Sequence, residues 1–236
     1  MLINLKKLMK YFDGILYIPH NIYFNLRVLP FRQAIRLPIL LYKPKFGSLG
    51  GVKINVPDCK IHTGMIRLGG YGVNLYPNNG IYINNRGVIT FNGSCVIGNN
   101  SFISVAKTGR LEFGDGFGCT ASLKLACYNS ITFGNHVLVG WDCLIIDTDF
   151  HALSRKDGTK SKGHAPIVVG DDVWIANSCK ILKRSYIPSK CVVSAQTIIS
   201  SKLEIPEYSV IGHKYEIVVK AKDRFRNHND DTIDFT

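Results

Sequence analysis

Three features are missing from this sequence, and each absence excludes a class of protein. None of the seven cysteines forms a CxxC pair, no 18 apolar residues run together, and no early stretch combines a basic start, an apolar segment and a small-residue cleavage site. An odd number of scattered cysteines argues against a disulfide framework or a zinc knuckle. The missing apolar runs argue against secretion and a transmembrane span. We therefore expect a soluble protein of the cytoplasm.

Acidic residues are scarce near the amino terminus. Residues 1–50 carry eight lysines and arginines against Asp13 alone, within a chain of net charge +12. Such a balance fits nucleic acid, an anionic membrane surface or an anionic cofactor. Nucleic acid is set aside, because the basic residues lack the interleaved aromatics of known binding modules. Two interpretations of the segment stay open: peripheral attachment to the inner membrane face, or a cap that covers the rest of the fold.

Helical spacing is confined to the first 45 residues, in "LINLKKLMKYF" and "NLRVLPFRQAIRL". The rest of the chain contains a repeat of six residues. From Val169, every sixth residue is a β-branched aliphatic, and a second track of small or medium side chains lies four places after each of the first five. The first track is Val169, Ile175, Ile181, Ile187, Val193 and Ile199, and the second is Val173, Cys179, Ser185, Cys191 and Thr197.

The same phase holds upstream, at Phe133, Val139 and Ile145, with Val137 and Cys143 on the second track. The six-residue phase is therefore the same before and after a polar excursion from about Phe150 to Pro166. Earlier still, "VIGNN", "FGDG" and "FGNH" resemble "VGDD" at Val169 and indicate irregular earlier coils. A six-residue unit is a short strand with one inward side chain and a tight turn, and three units close a coil of eighteen. Stacked coils form a parallel β-helix with one continuous core.

The inward small positions account for most of the cysteines. Cys143, Cys179 and Cys191 occupy them, and Cys95 is expected to belong with them. A buried thiol behaves there as a compact apolar group. We predict a structural role and no redox or metal chemistry.

The repeat resembles the hexapeptide-repeat acyltransferases, over roughly residues 50 to 220 and most specifically in "VVGDDVWIANSCKILKRSYIPSKCVVSAQTIIS". That superfamily implies a left-handed parallel β-helix and acyl transfer from coenzyme A. "DTDFH", the excursion and "VWI" are similar to the branch that O-acetylates sugars of bacterial capsules and lipopolysaccharides, and "FNLRVLPFRQAIRLPILL" resembles its leader. The resemblance implies a partly helical leader over 1–48, a catalytic β-helix over 49–220, a tail over 221–236, and trimers with an extended loop reaching across each intersubunit cleft.

The resemblance also assigns candidate catalytic residues. His151 matches the histidine that acts as general base on the acceptor hydroxyl, and imidazole has a suitable pKa near neutrality. Asp147 and Asp149 precede it at intervals of two, which places all three side chains on one face of an extended segment, so that one carboxylate could orient the imidazole. The alternative for each aspartate is turn capping. Trp174 matches an indole beside the thioester, although it could simply cover a coil face, as we expect for Trp141.

Acetyl-CoA is the implied co-substrate, with no metal. By position, Ala176, Ala195 and Thr197 line the pantetheine, and Lys202 and Lys220 lie near the phosphates. The sequence departs from the family where Ser194 and Gln196 replace usual glycines, and where "GHKYEIVVK" replaces the common Gly-Asn-Pro-Ala stretch.

Three alternatives to sugar O-acetylation remain. The first is N-acetylation of a nucleotide-linked amino sugar, which the same fold supports with the same base. The second is a metal-dependent hydratase that uses His136, His151 and His164, although the close HxxxxH pairing of such sites is absent. The third is a β-helix that serves only as a scaffold or binding module.

Overall fold

The chain forms a parallel β-helix with a helical cap at its amino-terminal end. The computed structural model describes residues 17–70, 73 and 75–213. The predicted helix over "LINLKKLMKYF", Lys220 and the tail over 221–236 lie outside these residues. None of the helices in this part of the chain could span a bilayer. The predicted fold, a mainly β chain built as a parallel β-helix, is confirmed, whereas its left-handed sense stays a prediction.

The strands stack into three faces, and every pairing between them is parallel. The first face contains β1 (Ile39–Leu41), β3 (Ile66–Gly70), β5 (Cys95–Gly98), β8 (Phe117–Cys119), β11 (Leu138–Val139), β14 (Trp174–Ile175), β17 (Val192–Val193) and β19 (Val210–Ile211). The second contains the first half of β4 (Ile81–Phe91), then β6 (Ser101–Val105), β9 (Lys124–Cys127), β12 (Leu144–Ile146), β15 (Lys180–Leu182) and β18 (Ile198–Ile199). The third contains the second half of β4, then β7 (Arg110–Phe113), β10 (Ser130–Phe133), β13 (Ile167–Val169) and β16 (Tyr186–Ile187).

Each face is followed by a corner, which we number after it. The first corner includes residues 140–143, 176–179 and 194–197, and the second includes 147–166 and 183–185. The third includes residues 114–116, 134–136 and 170–172. Strand β2 (Pro44–Ile54) pairs along the whole of β4 and bends with it around the second corner.

The predicted inward ladder is confirmed across the polar excursion. Phe133 pairs with Val169, and Val169 pairs with Ile187 on the third face. All six residues of the first track, and the upstream Phe133, Val139 and Ile145, are buried. The excursion therefore leaves the stack at one corner and returns without moving any inward side chain from its column.

The second track is also buried, including Val173, Ser185 and Thr197. The cysteines on it donate to carbonyls of the next coil: Cys143 Sγ lies 3.1 Å from Ala176 O, and Cys179 Sγ lies 3.1 Å from Ser194 O. Cys95 and Cys191 are buried as expected. These thiols are core side chains that also satisfy backbone acceptors.

A ladder of side-chain to backbone hydrogen bonds follows the third corner. Asp115 Oδ1 accepts from Ser94 N at 2.7 Å, Asn135 Oδ1 accepts from Asp115 N at 3.0 Å, and Asp171 Oδ1 accepts from Asn135 N at 2.6 Å. These are the Asp and Asn residues of "FGDG", "FGNH" and "VGDD". The likeness of "VIGNN" was misleading, because Gly98 ends a strand of the first face and its asparagines lie at the first corner.

The amino-terminal segment plugs the open end of the β-helix. Helix α1 (Ile18–Val28) and the short α2 (Phe31–Ala34) form the cap, and a 3-10 turn comes later at Asp58–Lys60. Phe24 is buried and stacks on Phe46, with ring centroids 5.5 Å apart. The Asn25 amide donates to Ile39 O at 2.8 Å, and its oxygen accepts from Ile39 N at 3.2 Å. Residues 17–36 therefore pack against the first coil of the β-helix.

The predicted boundary between leader and β-helix was ten residues late. Strand β1 already pairs with β3, so the first face begins at Ile39 rather than near residue 49. The early strands β2 and β4 are 11 residues long and bend around a corner, and such strands show no six-residue period.

We predict that Gly134→Ala destabilises the fold by about 1–3 kcal/mol, because overpacking of a close contact displaces backbone. A Cβ at Gly134 would lie 2.5 Å from Asp171 Oδ1 and 2.6 Å from Gly170 C. The matched control is Gly51→Ala, whose Cβ would meet nothing closer than 3.6 Å. Denaturant unfolding measures both variants, and equal midpoints for them would contradict the prediction.

Candidate active site

The polar excursion is an ordered antiparallel arm at the second corner. Thr148 bridges His164 and Ser154 bridges Lys160 in antiparallel fashion, and Asp149 N donates to Gly163 O at 2.7 Å. The tip is closed by Asp157, whose carboxylate accepts from Thr159 N at 2.9 Å. The arm therefore projects from the β-helix as a hairpin with its own backbone pairing.

His151 lies on the outer part of this arm, and its side chain is exposed. The backbone of Gly163 packs against it: a Cβ there would lie 2.7 Å from His151 O, and Gly163 has a φ of +69°. Within the part of the chain that the structure describes, no hydrogen bond joins the imidazole to Asp147 or Asp149. The ring is thus presented to solvent at the position where the sequence predicts a general base.

The hydrogen-bond partners of Asp147 are backbone amides of a neighbouring coil. Its carboxylate is fully buried and accepts from Tyr128 N at 2.6 Å and from Asn129 N at 2.7 Å, one coil below. Burial raises the pKa of the Asp147 carboxyl above its ordinary value, and these backbone donors offset only part of the increase. Of the two interpretations of Asp147, the structure favours turn capping, and the predicted contact with His151 is not formed.

Asp149 is exposed and forms an ion pair with Lys183. Lys183 follows β15, one coil above, and lies 36 residues after Asp147, so it occupies the equivalent corner position. Lys183 was not predicted from the sequence, although the 36-residue spacing that aligns Phe133 with Val169 also aligns Lys183 with Asp147. Asp149 is the carboxylate that remains on the same surface as His151.

A second imidazole lies at the base of the arm. The His164 ring packs against the Tyr128 ring with centroids 5.2 Å apart, and His164 Nδ1 is buried without a hydrogen-bond partner among the residues described. This contact packs the returning strand of the arm against the coil below. His164 therefore anchors the arm that carries His151.

The residues predicted to line the pantetheine share the first corner. Ala176 and Ala195 lie on successive coils, Ala176 half-buried and Ala195 exposed. Gln196, which replaces a usual glycine, has a φ of +61°, in the left-handed region that favours glycine. The Thr197 side chain points into the core instead, and among the described residues its Oγ1 has no hydrogen-bond partner there. Only its backbone could line a groove at this corner.

Trp174 lies on the outside of the first face, with 50% of its side chain exposed. It pairs with Leu138 below and Val192 above, and Leu138 and Val210 in the same column are also exposed. Trp141 is half-buried at the first corner. The indole of Trp174 thus belongs to an apolar outer strip.

One chain does not bring all the predicted residues together. In a three-sided coil, the second corner, which carries His151, is the vertex opposite the first face, which carries Trp174. Lys202 is bridged to Tyr186 and lies beside the third face, with Glu204 at 3.8 Å. The arm and the first corner are therefore separated by the width of the second face.

The histidines are equally dispersed. His136 pairs with Asp172 at 3.3 Å at the third corner, whereas His151 and His164 lie on the arm. Within the described ranges, no group of three metal-ligating side chains occurs. No convergence of three imidazoles within one chain supports the hydratase alternative.

Known proteins that are similar to this chain include a curated bacterial protein and a solved structure. No family model matches the chain. A 24.8 kDa uncharacterised protein of the cps region of Klebsiella pneumoniae is 29% identical over 139 residues, which span 58% of this chain and 61% of that protein. Among solved structures, that of the polySia-specific acetyltransferase NeuO is similar. The aligned region covers 76% of this chain and 92% of the NeuO chain, with 13% sequence identity and a TM-score of 0.37. At that TM-score, the structural likeness carries no functional conclusion.

We predict unequal effects for the two aspartates on stability. Asp147→Ala leaves two backbone N–H groups of the coil below without an acceptor and costs about 2–3 kcal/mol of unfolding free energy. Asp149→Ala removes an exposed ion pair and costs about 0–1 kcal/mol. Urea unfolding followed by circular dichroism compares them, and the assignment is wrong if Asp149→Ala proves the more damaging change.

Proposed function

We propose that this protein is an acyltransferase that moves the acetyl group of acetyl-CoA to a sugar hydroxyl of a bacterial surface polysaccharide or its precursor. The observation that carries the proposal is the arm: an unbroken core ladder passes beneath a hairpin that presents the exposed imidazole of His151. A scaffold protein has no need of this arrangement. A base on an arm can reach a ligand that is bound elsewhere.

The acceptor class is supported by the Klebsiella relative, whose gene lies in a cps region. Its identity to this chain is modest and covers part of each protein, so the polysaccharide acceptor belongs to the proposal. The pattern "DTDFH", arm and "VWI" supports the same class by resemblance. We place the reaction in the cytoplasm, where acetyl-CoA is available.

The reaction needs only one proton carrier. The acceptor hydroxyl attacks the thioester carbonyl while His151 removes the hydroxyl proton, and the tetrahedral intermediate then expels the thiolate, which takes the proton from the imidazolium. An ester forms, a thioester breaks, and the imidazole is regenerated. Asp149 and Lys183 lie at the start of the arm, where their ion pair fixes the strand that carries His151.

The proposed site requires a second copy of the chain, since His151 and the first corner are separated by the width of the second face. We propose a homotrimer in which the arm of one protomer reaches the first corner of its neighbour, where Ala176 and Ala195 line the pantetheine beside Trp174. The exposed Phe150 and Leu153 on the arm, at 69% and 68%, and the exposed apolar strip with Trp174 support such a contact. Lys202 and Lys220 remain candidates for the phosphates.

We predict that His151→Ala lowers acetyl transfer about 10²–10⁴-fold, because a general base is lost. Thiol release from acetyl-CoA in the presence of acceptor glycan measures the rate. His136→Ala is the matched control, since His136 is also an exposed histidine but lies at the third corner. Full activity of His151→Ala would remove the proposed base.

The acetylated product separates the enzymatic alternatives. An O-acetyl ester is released by mild base, whereas the amide of an acetylated amino sugar survives. Rapid transfer to amino-sugar nucleotides, with a base-stable product, would replace the proposed acceptor with the nucleotide-linked one.

We also predict complementation between two inactive variants. His151→Ala removes the base, and Ala195→Trp fills the first corner with a bulky side chain at an exposed position. Co-expressed chains should recover roughly a quarter of wild-type activity, because random assembly joins an intact arm to an intact neighbouring corner in that share of sites. If each site is formed within one chain, the mixture stays inactive.

A further inference from the structure

The cap has an apolar face that points away from the β-helix. Helix α1 turns Phe24 and Asn25 inward, yet its opposite side presents Ile22, Tyr23 and Leu26 to solvent. The short helix α2 adds Phe31, and Ile35 follows it; these two residues are 73% and 59% exposed. A helix with apolar residues on both sides is normally covered on both sides. The outer side of this cap therefore leaves several large apolar side chains exposed.

Basic residues accompany this apolar face. The sequence contains no Asp or Glu between Asp13 and Asp58, while it holds six lysines and arginines in that interval. Arg27, in the last turn of α1, is exposed next to Leu26. Arg32 is also exposed and pairs with Asp58 at 3.4 Å, a contact open to solvent. The cap thus combines large exposed apolar side chains with two exposed arginines, Arg27 and Arg32.

The inner side explains how the cap is oriented. Phe24 and Val28 face a small gap at the end of the core that is also lined by Ile39, Leu68 and Ile83. These last three are inward residues of the first coils, so α1 lies across the open end of the stack. Among the described residues, the apolar outer side consequently lies at the capped end of the stack, where a flat partner can meet it without touching the arm.

We propose that the outer side of this cap, formed by residues 18–35, binds the surface of an anionic lipid bilayer. A bilayer offers an apolar layer for Tyr23, Leu26 and Phe31 and phosphate groups for the arginines at the same depth. A protein partner would need an acidic rim around an apolar centre, whereas a bilayer supplies both from any approach. The preceding segment adds Lys6, Lys7 and Lys10 to the same end of the sequence. This inference is independent of the proposed reaction.

The test uses the full chain and vesicles of phosphatidylcholine with about a quarter phosphatidylglycerol. We expect the chain to sediment with these vesicles, to bind vesicles of phosphatidylcholine alone more weakly, and to be released in part at about 0.5 M salt. Replacing both Tyr23 and Leu26 with serine should weaken binding about tenfold or more, because their apolar area no longer enters the bilayer. Both are exposed in the structure, so the double variant is expected to fold.

A site-specific readout accompanies the sedimentation. Tyr23→Trp places an indole on the outer side of the cap, and lipids brominated on their acyl chains quench an indole only on contact. Leu75→Trp, at another exposed apolar position far along the chain, is the matched control. With the signal of Trp141 and Trp174 subtracted, we expect quenching for Tyr23→Trp and none for Leu75→Trp.

Two results would overturn the inference. One is equal sedimentation of the Tyr23→Ser, Leu26→Ser variant and the parent chain, which would mean that residues 1–16 or another surface make the contact. The other is an unquenched Tyr23→Trp together with a smaller oligomer for the double serine variant. A second copy of the chain, rather than lipid, would then cover the cap.

Discussion

Contact between equivalent inward side chains of successive coils is the constraint on which the structure depends. On the third face, the rings of Phe91, Phe113 and Phe133 stack with centroids 5.4 and 5.5 Å apart and nearly parallel planes. The column continues through Val169 and Ile187. Each coil is too short to bury its own apolar side chains, so its stability comes from the coils above and below it. Any insertion must therefore begin and end at the same corner.

That constraint explains which parts of the molecule were predictable. Inward positions obey a period, so Val169 to Ile199, the buried cysteines and the excursion were all placed correctly from the sequence. Corner residues obey no such period. Asp147 and Asp149 are two positions apart, yet Asp147 is buried and accepts hydrogen bonds from two backbone amides, whereas Asp149 forms an ion pair with Lys183. The partners of both aspartates lie on neighbouring coils. They can be found from the sequence only when the spacing between coils is applied to the corner residues as well as to the inward ones.

The other features that the sequence did not predict correctly have related causes. The first coils contain long bent strands instead of six-residue units, which hid the start of the β-helix at Ile39. Thr197 was placed at a corner by resemblance, but its second-track position turns the side chain inward. The predicted site residues are distributed over the second corner, the first face, the first corner and the edge of the third face. The periodicity of one chain contains no information on how copies pack. The cap's outward apolar side likewise emerges only when the inward side of α1 is known.

The constant spacing of the coils fixes the distance between the cap and the root of the arm. Strand β1 lies at the capped end, and the arm leaves the stack one strand after β11, which is four steps along the first face. At roughly 4.8 Å per step, the root of the arm stands about 19 Å from the cap. A chain that gained or lost one coil below the arm would shift that height by a single step while leaving the local geometry of the arm intact. The distance between the cap and the arm can thus change in fixed increments without any change in the arm itself.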